Sequence, residues 1–102
     1  MTKNQKRACK AALRRYRAEL GRCDPAAVLW RDAIDGALEY YAECPEVSGR
    51  GELLRLRYIE GRTEDETISA LHIGRSTYAT WQLDALATVG TYAAAGGVLP
   101  VG

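Results

Sequence analysis

The sequence predicts an all-α protein of about five helices, and three observations carry that expectation. Apolar residues recur at three- and four-residue spacing along several segments, the period of one helix face. Helix-start signals stand at Asp24-Pro25 and at Thr63-x-x-Glu66. No stretch alternates apolar and polar residues at strand period, and turn-flanked β-branched runs are absent.

The first helix is expected from about Asn4 to Leu20, with Cys9, Leu13, Tyr16 and Leu20 as its apolar stripe and Gly21 as its stop. Asp24 as N-cap and Pro25 at the first helical position open a second helix reaching about Glu43, where Cys44-Pro45 ends it. Its stripe is Trp30, Ala33, Ile34, Ala37, Leu38 and Tyr41. Ser48-Gly49-Arg50-Gly51 reads as a flexible link dividing an N-terminal helical pair, residues 1–47, from a second unit, residues 52–97. The third helix runs over about Glu52 to Glu60 and is closed by Gly61; the fourth covers Glu64 to Leu71. The fifth starts near Arg75 and reaches about Ala95 before Gly96-Gly97, and residues 98–102 form a frayed tail.

With 102 residues, 47% of them hydrophobic and 26% charged, the chain fits one small globular domain rather than a disordered segment. No apolar run approaches the ~20 residues needed to span a bilayer. The basic N-terminus lacks the apolar stretch of a signal peptide, so a cytoplasmic protein without a membrane partner is expected. Cys9, Cys23 and Cys44 have neither zinc nor redox spacing, so no metal or cofactor is expected. The net charge of +1 hides a strong asymmetry. Residues 1–22 hold eight basic residues against Glu19 alone, whereas residues 24–46 hold six acids against Arg31 alone. The basic segment can meet phosphate, or it can be neutralised within the molecule by the acidic second helix.

The segment from Thr63 to Tyr78 carries the strongest functional signal. Thr63 and Glu66 form a capping box for a short helix, a turn containing Gly74 follows, and Ser76 and Thr77 suit the opening of the next helix. Two helices joined this way make a helix-turn-helix, whose second helix fits the major groove of duplex DNA. Tyr78, Trp81, Ala85, Val89 and Tyr92 form that helix's core stripe, with Tyr78 and Trp81 set against Ile68, Leu71 and Leu56; stacking of these rings on bases is the weaker alternative. The opposite side offers Arg75, Ser76, Thr77, Thr80 and Gln82 as DNA-binding residues. Gln pairs with adenine, Thr touches a thymine methyl or a phosphate, and Arg holds phosphate or guanine. Arg62 adds a DNA contact beside this helix, and Lys6, Arg7, Lys10, Arg14 and Arg57 are candidate phosphate contacts.

Leu54-x-Leu56-Arg57-Tyr58-Ile59-Glu60-Gly61-x-Thr63, with Ile68, Leu71, Ile73 and Arg75-Ser76-Thr77-Tyr78, resembles the promoter-reading region-four domain of sigma factors. It is similar, more closely, to small phage transcription regulators of the ArpU/RinA type. The resemblance spans roughly Glu52 to Gly97 and implies a trihelical helix-turn-helix that regulates transcription of phage or prophage genes. Ala79 and Thr80 stand where those relatives carry Arg or Lys, and Gly74 replaces their serine N-cap. A homodimer, through the N-terminal helices, would extend the short site that one helix can read. The rival functions are a phage DNA-packaging subunit of the small-terminase type and a protein-binding module that contacts RNA polymerase. No catalytic set is present: His72 is a lone turn residue, and no paired carboxylates, phosphate-cradling loop or Ser/His/Asp arrangement points to an enzyme.

Overall fold

Helix α1 spans Lys3–Arg15, and α2 spans Pro25–Glu43. A 3-10 turn at Pro45–Val47 leads into α3, Ser48–Leu54, which continues as a π-helical turn over Arg55–Ile59. Helices α4, Glu64–Leu71, and α5, Arg75–Ala95, complete the chain. The computed structural model describes residues 1–101, and no strand occurs among them.

The starts of α1, α2 and α4 are each fixed by a side chain that satisfies an orphan amide. Thr2 accepts from the Gln5 N–H at 3.1 Å and Gln5 Oε1 accepts from the Thr2 N–H at 2.9 Å, a capping box that starts α1 at Lys3, one residue before the expected Asn4. Asp24 accepts from the Ala27 N–H at 3.1 Å, with Pro25 at the first position of α2, as the sequence implies. Helix α1 ends at Arg15 rather than Leu20. Past it the Tyr16 hydroxyl donates to Asp35 of α2, and Arg31 donates to the Leu20 carbonyl at 2.8 Å, so the chain is drawn across α2 in turns. Burial, and then the Asp35 carboxylate, push the Tyr16 hydroxyl up to about 12. Leu20, expected in the apolar stripe, is consequently exposed.

The expected flexible link at Ser48–Gly51 is the first turn of α3. A Cβ on Gly51 would come within 2.9 Å of Tyr41 Cβ, and one on Gly49 within 2.5 Å of the Trp81 ring. These glycines are therefore notches for close approach rather than breaks between two units. One core joins both halves, drawing Leu13 from α1, Ile34 and Tyr41 from α2, Leu53 and Leu54 from α3, and Leu86 and Val89 from α5. In the π-helical turn the Glu60 N–H bonds the Arg55 carbonyl at 2.8 Å, and both Leu56 and Tyr58 are buried.

Helix α5 packs against α1, α2 and α3. Tyr78, Ala85 and Val89 are buried as expected, but so are Leu86, Gly90 and Ala93, because neighbours cover α5 on three sides. Trp81 is half-buried, packed on the core, set on Gly49 and beneath the Arg50 guanidinium at 5.3 Å. Tyr92 remains 38% exposed and lies over Gly36. Gly97, at φ 77°, closes α5 with the Val98 N–H on the Ala93 carbonyl at 3.0 Å. The tail is not frayed as far as Val101: Leu99 packs on the core, and the Pro100 carbonyl accepts from the Gln5 amide at 2.9 Å.

Two glycine substitutions separate a rigid contact from a soft one. Gly51→Ala meets the Tyr41 Cβ on buried α2 and is expected to lose on the order of 1–2 kcal/mol, overpacking exceeding the gain in helix propensity. Gly90→Ala meets only the methyl end of the largely exposed Met1 side chain and is expected to match or exceed wild type. Urea midpoints of the two variants check this.

Candidate nucleic-acid interface

Helix α4 is held at its start by the Thr63–Glu66 box read from the sequence. Thr63 Oγ1 accepts from the Glu66 N–H at 3.1 Å, and Glu66 Oε1 accepts from the Thr63 N–H at 2.9 Å. The Thr63 backbone bond holds the Glu66 carboxyl below its usual value of 4.5. Thr67 is fully buried and donates to the Thr63 carbonyl at 2.9 Å. His72, rather than Gly74, makes the left-handed turn, at φ 56° and ψ 44°. Gly74 is the extended N-cap of α5, with no side-chain cap, and a Cβ there would meet nothing within 4 Å. The first amides of α5 are thus open, at the positive end of a 21-residue helix.

Of the expected DNA-binding residues, Ser76, Thr77 and Thr80 lie exposed together on α5. Gln82 does not join them: its amide donates to the Tyr58 hydroxyl, on the core side of the helix. Residues two apart stand roughly 200° around an α-helix, so Thr80 and Gln82 cannot share a face. The face continues instead through Leu83, 53% exposed, and Ala87, at the i+3, i+4 spacing that the sequence already contains. Trp81 is no base-stacking platform, since Arg50 covers its ring.

Arg75 folds back onto α4, where its Nη1 lies 2.9 Å from Glu64 and its Nη2 2.6 Å from Asp65. Asp65 above all, then Glu64, raises the guanidinium pKa. Arg62 lies 3.4 Å from Glu60, and Arg50 3.2 Å from Asp84, whose charge on the exposed side is thereby partly offset. The exposed face of α5 presents no unpaired cation among the described residues.

Uncompensated positive charge gathers on α1. Lys3, Lys6, Arg7 and Lys10 share one helix face and line a shallow groove, and Arg14 follows one turn on. No carboxylate lies within ion-pair distance of any of them among the described residues, whereas Arg15 is paired with Glu19 and Arg22 with Asp24. The two readings of the basic segment therefore separate: α2 meets this part of the chain through Asp35 on Tyr16 and Arg31 on the Leu20 carbonyl, not through ion pairs with its acids. Arg57 donates to the Arg62 carbonyl at 3.1 Å, and both Arg14 and Arg57 place their guanidinium carbons 5.5 Å from the Tyr58 ring centre.

All three cysteines are free, and burial pushes the Cys9 thiol up to about 11. No helix among the described residues is long and apolar enough to cross a membrane. No three His, Cys, Asp or Glu side chains come together there as a metal site.

The lowered Glu66 carboxyl fixes the sign of a pH effect. Its contribution to stability is complete above the unfolded value of 4.5 and is lost as pH falls through the lower folded value. Glu66→Gln keeps the reach of the box without the charge. Thermal melts from pH 3 to 7 should show wild type above the variant near neutrality, the gap closing at the acid end.

Comparison with protein-family models, with curated proteins and with solved structures finds no match to this chain.

Proposed function

We propose that the chain is a sequence-specific double-stranded DNA-binding regulator of transcription, with the resemblance of residues 52–97 pointing to phage or prophage genes. The observation that carries this reading is the pairing of a capped α4 and a left-handed turn with an α5 whose open N-terminus and Ser76, Thr77 and Thr80 stand clear of the core. A helix in that position enters a major groove by its N-terminal end. Thr80 offers a methyl to thymine, and the Ser76 and Thr77 hydroxyls, with the free amides, suit phosphate oxygens.

Arg75 and Arg62 join after exchanging their acidic partners for phosphates. Those pairs are exposed and weak, so the exchange costs little. Gln82 acts differently from the original expectation, holding Tyr58 beneath the reading helix rather than reading a base. One short helix reads few base pairs, which favours a homodimer on two half-sites.

A second reading keeps support from one observation. The middle of the exposed strip carries Leu83, more than half exposed, and no free cation, which suits a protein partner such as RNA polymerase.

Selection of bound duplexes from a random pool, at low and near-physiological salt, tests the choice. A motif enriched at both salts is the expected result; binding that enriches nothing and fades with salt would end the sequence-reading proposal. Within the first outcome, Thr80→Ala should change base preference at one position by about 1–3 kcal/mol, and Arg75→Ala should weaken all sequences alike.

A further inference from the structure

Five arginines lie between Arg50 and Arg75, and four have carboxylates: Arg50 has Asp84, Arg55 has Glu52 and Glu60, Arg62 has Glu60, and Arg75 has Glu64 and Asp65. Arg57 is the exception among the described residues. It has only the Arg62 carbonyl, and its Nε is buried without a partner. Arg14 arrives from α1 at the same 5.5 Å from the Tyr58 ring, also without a carboxylate. Two like charges thus converge on one aromatic ring. Beside them the Tyr78 hydroxyl, on a side chain 2% exposed, makes no hydrogen bond of good geometry, and the neighbouring Arg57 guanidinium is close enough to work against the rise in its pKa that burial causes. Glu64, whose charge reaches Tyr58 and Tyr78, is already committed to Arg75.

The neighbouring arginines are held by carboxylates, whereas these two meet at Tyr58 with no acid beside either among the described residues. Ring stacking orients guanidinium planes without using their N–H donors, which stay available for the bidentate geometry that phosphate oxygens accept. We infer that Arg14 and Arg57, both beside the Tyr58 ring, form a phosphate clamp, with Lys10 one turn back on α1 extending it. The inference deepens the proposed function and rests on it for the ligand, a phosphodiester of duplex DNA held where α1 meets the flank of α5 that Gln82 joins to Tyr58. The recognition helix then supplies discrimination, and the clamp supplies a large share of the electrostatic hold.

The experiment is the salt dependence of duplex binding by wild type, Arg14→Gln and Arg57→Gln, with Arg57→Lys as a charge-keeping control and circular dichroism to confirm folding. Titration with inorganic pyrophosphate, read at the arginine Nε–H resonances, runs alongside. Arg14 is exposed, so its variant tests the clamp even if Arg57→Gln fails to fold. The expected result is a log–log salt slope shallower by about 0.9 for each phosphate given up. Arg57→Lys should keep most of the slope, and Thr80→Ala all of it. Wild-type binding with an unchanged slope in folded Arg14→Gln overturns the clamp and leaves the DNA reading standing. No duplex binding, but pyrophosphate shifts at Arg14 and Arg57, keeps the anion site and removes the DNA reading. Silence in both assays overturns both.

Discussion

Helix α5 has to bury three of its sides and still keep one clear, and small residues at its contacts make that arrangement feasible. Tyr92 lies over Gly36, Trp81 over Gly49, and the Met1 and Cys9 side chains over Gly90. Each contact sets a side chain directly against backbone, which lets helix axes approach more closely than two full side chains would allow. Ala85 and Ala93 serve the same purpose along the buried side. With α1, α2 and α3 seated so closely, the strip through Ser76, Thr80, Leu83 and Ala87 is left uncovered. The exposed strip is thus a consequence of how the core closes around this helix.

Charge follows the same division. Around α3, the π-helical turn and α4, acids take up every arginine but Arg57, and the strip on α5 ends without an unpaired cation among the described residues. Lys3, Lys6, Arg7, Lys10 and Arg14 of α1 are left without an acid among the described residues, and Tyr16–Asp35 and Arg31–Leu20 form the seam to the acidic α2.

The predictions for Gly51 and Gly90 turn on a feature that the sequence conceals. Gly49 and Gly51 stand in a Ser-Gly-Arg-Gly run that has the composition of a linker, and composition is blind to a Tyr41 or a Trp81 arriving from elsewhere in the chain. Local signals were legible. The Thr63–Glu66 box, the Asp24-Pro25 start and the Gly97 stop each depend on residues within one helical turn. Long-range signals were not. The end of α1 is decided by Asp35 and Arg31 on another helix, and the tail by Gln5. The candidate site divided along the same line. Ser76, Thr77 and Thr80 follow from helix geometry alone, while Arg75 was claimed by α4 acids ten and eleven residues away. Gln82 was misplaced by helix geometry itself, which two residues of spacing should have revealed.

Separating the reading face from the charged grip has a physical consequence for any DNA-binding role. On the proposed reading, discrimination by α5 would rest on short, uncharged groups that must touch base edges, so their contribution would depend on shape and fall away at a wrong sequence. Attraction through Arg14, Arg57 and Lys10 would act on every duplex alike and weaken as salt competes for phosphate. Were the cations on α5 itself, non-specific contacts would hold the reading helix to wrong and right sequences with similar strength. Set to one side, beyond Gln82 and Tyr58, they can hold the backbone while the strip of Ser76, Thr77 and Thr80 is tested against the groove. The scarcity of charge on α5 is therefore compatible with sequence reading, provided that the grip lies within the same footprint, and the direct packing of α1 on α5 provides that proximity.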